Sequence, residues 1–158
     1  EISEHLMAMA KTKMKFGTPD EVKSLYSIAF EINPSFKTGF EYAKILYLYE
    51  ATVKSIEIAE SLADKITTKK EKIEVIELLV KATIDANDKT KCDAYFNGLI
   101  SLQTSHQDYL LAAVYFKFIG DFTKADNFKQ RVNPQLLRST KLKQLYSEST
   151  IDNYILKF

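Results

Sequence analysis

The stretch Tyr109-Leu110-Leu111-Ala112-Ala113-Val114-Tyr115-Phe116-Lys117-Phe118-Ile119-Gly120-Asp121-Phe122-Thr123-Lys124-Ala125 reads as a helix, a stop and a second helix. No proline or glycine interrupts the run from about Gln107 to Ile119. Gly120 can then close it, and Asp121 has the short acceptor side chain that caps the helix that follows. Tyr109, Ala112, Ala113, Phe116, Phe122 and Ala125 alternate large and small side chains at helical spacing. Small residues let two helices approach, and aromatics fill the space between successive pairs.

The same punctuation extends toward both ends. In Phe16-Gly17-Thr18-Pro19-Asp20-Glu21, Gly17 is placed to end one helix in the left-handed conformation, Thr18 to cap the next and Pro19 to occupy its first turn. That second helix carries Val22, Leu25, Tyr26, Ala29 and Phe30 on one face and stops before Asn33-Pro34. A third helix, about 36–49, is apolar nearly all round, as a helix sandwiched between others would be. A fourth follows without a strong breaker, with Val53, Ile56, Ala59, Leu62, Ala63 and Ile66 in register. Further helices are expected from the polar Thr67-Thr68-Lys69-Lys70 turn to about residue 86, and over about 89–103 after Asn87-Asp88. Asn133-Pro134 repeats the cap-plus-proline signal, and Ser149 with Asp152 reads as a capping box for a terminal helix. The expectation is an all-α chain of about nine or ten short helices.

Composition agrees with that class. Four glycines and three prolines are too few for the turns of an all-β chain. Twenty-two basic and 21 acidic residues leave a net charge of +1, without the field that draws a protein to nucleic acid or anionic membrane. Arg131 and Arg138 are the only arginines, which argues against direct base reading by this segment. Lys44, Glu50 and Lys54 break the longest apolar region well short of a membrane span. Cys92 stands alone, so no intrachain disulfide forms and a reducing cytoplasm is the expected compartment. The chain starts at Glu1 with no signal peptide, which leaves room for a preceding segment.

Helix pairs recurring about every 34 residues resemble tetratricopeptide arrays. Tyr109 to Ala125 carries the pattern best, Ala10, Tyr26, Ala29 and Pro34 fit the same frame, and the middle is looser. There Phe40, Ala43, Tyr47 and Ala63 serve for one pair, and Ala94 with Gly98 for another. The resemblance implies antiparallel helix pairs stacked in a right-handed superhelix. It implies one domain over 1–158, with about four pairs in 3–132 and capping or dimerisation helices in 133–158. Within that superfamily, Thr90 to Phe158 resembles the end of peptide-sensing receptors of Gram-positive bacteria and their phages, the arbitrium receptors among them. The Lys124-Ala125-Asp126-Asn127-Phe128-Lys129 helix, Leu136-Leu137-Arg138 and the Leu-rich close carry the likeness. Receptors of that group join a DNA-reading helix-turn-helix domain to repeats that bind a short peptide. No segment of this chain reads as such a DNA-reading domain.

Catalytic constellations are lacking in the sequence. His5 and His106 lie far apart with no Cys/His cluster beside them, and Gly17, Gly39, Gly98 and Gly120 stand singly, so neither a metal set nor a phosphate loop is indicated. Cys92 near a helix start reads as a packed thiol before a nucleophile. Lys11, Lys13 and Lys15, and again Lys69, Lys70 and Lys72, read as solvated faces; as binding groups they would favour an acidic peptide or protein carboxylate. No cofactor is expected. If the repeat frame holds, the first helix of each pair lines a groove: Met7, Lys11 and Met14 in the first, Glu41, Ile45 and Tyr49 in the second, Leu110, Val114 and Lys117 in the fourth. For Ile45, Leu110 and Val114 taken singly, core packing is the competing reading. The Lys and Asn pattern that clamps a C-terminal carboxylate in some repeat proteins is absent. At the close, Leu142, Leu145, Tyr154, Ile155 and Phe158 are too apolar for a merely solvating end, so they cover the last repeat or form a homodimer contact. The expected function is a non-catalytic module that binds a short peptide or a protein as the sensing part of a regulator. A structural adaptor that recruits a folded partner or self-assembles is the alternative.

Overall fold

Short polar side chains set where the helices begin. A computed structural model describes residues 1–102 and 106–137, and among these it contains eight α-helices of ten residues or more and no strand. They are α1 (Ile2–Phe16), α2 (Pro19–Ile32), α3 (Phe36–Leu48), α4 (Thr52–Ser61), α5 (Lys69–Asp85), α6 (Lys89–Ser101), α7 (His106–Phe118) and α8 (Phe122–Arg131). A 3-10 turn, Ala63–Lys65, follows α4, and one helical turn, Pro134–Leu137, follows α8. The count falls short of nine or ten because the expected terminal helix at Ser149 and Asp152 lies outside the described residues. No described helix is long and apolar enough to cross a membrane.

Thr18 caps α2 as its sequence suggests, accepting from Glu21 N–H at 3.3 Å, while Glu21 Oε2 accepts from Thr18 N–H at 3.0 Å. Thr68 and Glu71 form the same reciprocal box on α5, and Ser35 with Thr38 forms one on α3. Each box satisfies donors that a helix start otherwise leaves bare, a contribution of about 1 kcal/mol. Gly17 departs from expectation. Its φ of −105° and ψ of −177° are extended, so α1 ends without a left-handed residue.

Left-handed residues instead close α3, α5 and α7. Glu50, Asn87 and Gly120 have φ of 61°, 56° and 86°. In each case the next residue donates back five positions to form a Schellman closure: Ala51 to Leu46 at 2.8 Å, Asp88 to Thr83 at 2.9 Å, Asp121 to Phe116 at 2.9 Å. The breaker between the third and fourth helices is therefore Glu50, which nothing in its side chain announces.

Around these closures burial follows a common register. At one fixed offset beyond each lies a small buried residue, Ser55, Cys92 or Ala125; at a second lies a buried aliphatic, Leu62, Leu99 or Val132. At a fixed offset before each lies Ala43, Val80 or Ala113, also buried. The same register laid on Gly17 picks out Ala10, Val22 and Ala29, all buried. Ala63 and Ala94, expected at small positions of the repeat, are exposed, whereas the nearby Leu62 and Cys92 are buried.

The chain divides into two compact units, residues 1–95 and 96–158. In the first, α1 packs on α2, α2 on α3, α3 on α4 and α4 on α5, with α3 also touching α5. One apolar cluster joins α1, α2 and α3 around Met7, Val22, Tyr26 and Leu46. Another joins α3, α4 and α5 around Ala43, Ile56, Ala59 and Leu79. Ser55, fully buried, donates to the Ala43 carbonyl at 2.7 Å and ties α4 to α3. In the second unit α7 packs on α8, and aromatic rings dominate: Phe116 stacks on Phe128 at 5.4 Å and meets Phe96 at 6.0 Å.

Candidate functional site

In the first unit, α1, α3 and α5 all contribute to one groove of about 520 Å³. Each presents a face one turn apart. Lys11 and Met14 come from α1, Phe40, Glu41, Lys44, Ile45, Tyr47 and Leu48 from α3, and Glu74, Glu77, Leu78 and Lys81 from α5, with Tyr26 of α2 at the floor. Ile45, Leu78 and Tyr26 are buried, whereas Leu48 is 58% exposed, so the groove has an anchored apolar base and a free apolar lip. Burial, and after it the Glu41 carboxylate and the Tyr49 phenol, push the Tyr26 hydroxyl above its ordinary range. That phenol stays protonated at neutral pH.

Charge in the groove is mixed. Lys44 Nζ pairs with Glu41 Oε1 at 2.7 Å and lies 5.0 Å from the Phe40 ring centre. Glu74 takes Lys70 at 3.9 Å on the neighbouring stretch, where Phe36, Lys37, Thr68 and Glu71 prolong the depression along α3 and α5. Neither Lys11 nor Lys81 is within ion-pair distance of a carboxylate among the described residues. Histidine, cysteine and serine are missing from the groove lining. An apolar base bordered by ammonium and carboxylate groups can hold a chain of alternating apolar and polar side chains.

Of the residues singled out from sequence, Lys11, Met14, Glu41 and Ile45 meet in this groove. Met7, 6% exposed, packs in the α1–α2–α3 core, and Tyr49 lies half-buried against the same cluster. In the second unit Leu110 and Val114 are each 1% exposed, which makes them core residues, and Lys117 is half-buried at the end of α7. Leu142, Leu145, Tyr154, Ile155 and Phe158 lie outside the described residues. Sequence reasoning left the third pair without site residues because its repeat signature is weak. The face Glu74, Glu77, Leu78 and Lys81 was nonetheless available as a three-to-four spacing on one helix.

No protein-family model and no curated protein matches this chain. The functional reading therefore rests on the groove's own chemistry.

Proposed function

We propose that this chain is a non-catalytic, tetratricopeptide-like helical-repeat module whose α1–α3–α5 groove binds a peptide or an extended segment of a protein, as the sensing part of a cytoplasmic regulator. The observation that carries the reading is the convergence of alternate helices on one groove with an apolar base and a charged border. The recurring left-handed closures at Glu50, Asn87 and Gly120 support the repeat frame, since they fall about one repeat of roughly 34 residues apart. A ligand selective for the folded state raises thermal stability by mass action, by about 2.7 kcal/mol at a hundredfold excess over Kd. Peptide pools should therefore raise the melting temperature of the full chain. Leu48→Glu, at an exposed lip position, should abolish that rise while leaving the ligand-free stability within about 0.5 kcal/mol of the parent. A pool response that survives Leu48→Glu would place binding elsewhere.

A structural adaptor is the second reading. It is favoured by Ile28, 41% exposed in a second depression formed by α2, α3 and α4, and by Ile32 on α2 and Val53 on α4, which are 50% and 67% exposed. It predicts a stable complex with a folded protein and no response to peptide pools. The homodimer contact through the C-terminal helices rests on sequence alone.

A further inference from the structure

The repeat register aligns three groove residues. Lys11, Lys44 and Lys81 stand at the same offset before Gly17, Glu50 and Asn87, and all three line the groove. One lysine on each of the alternate helices α1, α3 and α5, at the same offset before the helix end, forms a ladder across the apolar base. Val114 holds the same offset before Gly120 in the second unit, where it is buried, so the ladder belongs to the first unit alone. We infer that the groove takes an extended acidic peptide segment, in which Asp or Glu side chains separated by apolar ones meet Lys11, Lys44 and Lys81. This rests on the peptide-binding reading above and adds the class of peptide.

Charge complementarity selects that occupant. Lys11 and Lys81 lack carboxylate partners among the described residues, and Lys44 has only Glu41, an exposed pair that a ligand carboxylate can exchange. Ammonium groups act as point charges and accept single carboxylates at separate stations. Glu41, Glu74 and Glu77 line the same groove as the lysines, so a continuous polyanion such as nucleic acid would meet repulsion along its backbone. An acidic segment avoids it by placing apolar side chains opposite the glutamates' aliphatic stems and over Ile45 and Leu78.

The test uses the full 158-residue chain and a displayed library of random twelve-residue peptides, with a synthetic peptide of the selected consensus measured by fluorescence anisotropy. The expected pool is enriched in Asp and Glu interleaved with apolar residues. Lys11→Met and Lys81→Met should each weaken the consensus peptide roughly three- to tenfold, and Lys11→Glu and Lys81→Glu by more. Lys54→Glu makes the same charge change away from the groove and should leave affinity within about twofold. Thermal unfolding of each variant separates lost binding from lost folding. A pool enriched in Lys and Arg, or equal losses from Lys54→Glu, overturns the acidic assignment and leaves the peptide groove standing. Displacement of the peptide by an equimolar twenty-base oligothymidylate also overturns it. A library that yields no binder overturns both.

Discussion

The Tyr95 hydroxyl donates to Glu60 Oε1 at 2.6 Å, and Lys91 Nζ reaches the same oxygen at 2.9 Å, so one carboxylate of α4 holds two side chains of α6. Burial pushes Glu60 upward, but the hydrogen bonds from Tyr95 and Lys91 outweigh it and leave the carboxyl below its ordinary value of 4.5. Tyr95 is raised, first by burial and then by that hydrogen bond, so it stays the donor throughout the stable pH range.

A folded-state value lowered in this way stabilises the protein above pH 4.5, and the contribution fades as the pH falls through the folded value. Glu60→Gln should thus cost about 0.5–1 kcal/mol at pH 7, discounted for the solvent that reaches the pair, and less at an acid pH below the folded value. Urea unfolding at the two pH values measures the difference. An equal cost at both would assign the effect to packing instead of charge.

Glu50 is the non-glycine residue least suited to its left-handed backbone. Glu50→Gly should stabilise the chain by about 0.5–1 kcal/mol, because relief of the side-chain clash exceeds the added flexibility of the unfolded chain. Gly120→Ala, with open space around its Cβ but φ of 86°, should lose about 1 kcal/mol from backbone strain alone. Opposite signs for the two substitutions in thermal melts are the expected outcome.

The residue after each closure starts the next helix. Asp88 and Asp121 accept from Lys91 and Lys124 N–H, each at 3.1 Å, whereas Ala51 in the same place has no side chain to do so. Ala51, with φ of −82° and ψ of 56°, has nearly the backbone of Asp121, at −87° and 75°. Ala51→Asp should add about 0.5–1 kcal/mol and Asp121→Ala remove about 1 kcal/mol. Circular dichroism melts would expose a failure of the register if Ala51→Asp were destabilising.

Gly39 is buried in α3, where an added Cβ would collide with Leu62 Cδ2 and come within 2.8 Å of Phe30 Cε2. Leu62 is fully buried, so a shift of its side chain must disturb its packed neighbours. Gly39→Ala should cost about 1–3 kcal/mol, against the gain that alanine normally brings to a helix interior. A neutral or stabilising result in urea unfolding would mean that α3 and α4 separate more freely than their packing implies.

Much of the architecture was legible before the fold was known. Thr18-Pro19, Thr68, Gly120-Asp121 and Asn133-Pro134 announce helix ends because capping is local chemistry, settled by a side chain and the backbone within three residues of it. The alternation of small and aromatic residues from Tyr109 to Ala125 marked a helix pair for the same reason: close approach needs small side chains wherever it occurs.

Tertiary structure decided what local chemistry left open. Glu50 adopts a left-handed turn because α3 and α4 must pack on each other, with Ser55 bonded to Ala43; no propensity of glutamate requires it. Which apolar residue faces the core is likewise set by neighbouring helices, so Met7 is enclosed while Leu48 lies open. Sequence alone determined that this chain is built of short helices, since caps and spacing act within one helix. Only the packing of α1, α3 and α5 brought Lys11, Lys44 and Lys81 into one groove, because a binding surface shared by three helices exists only once long-range burial has fixed their order.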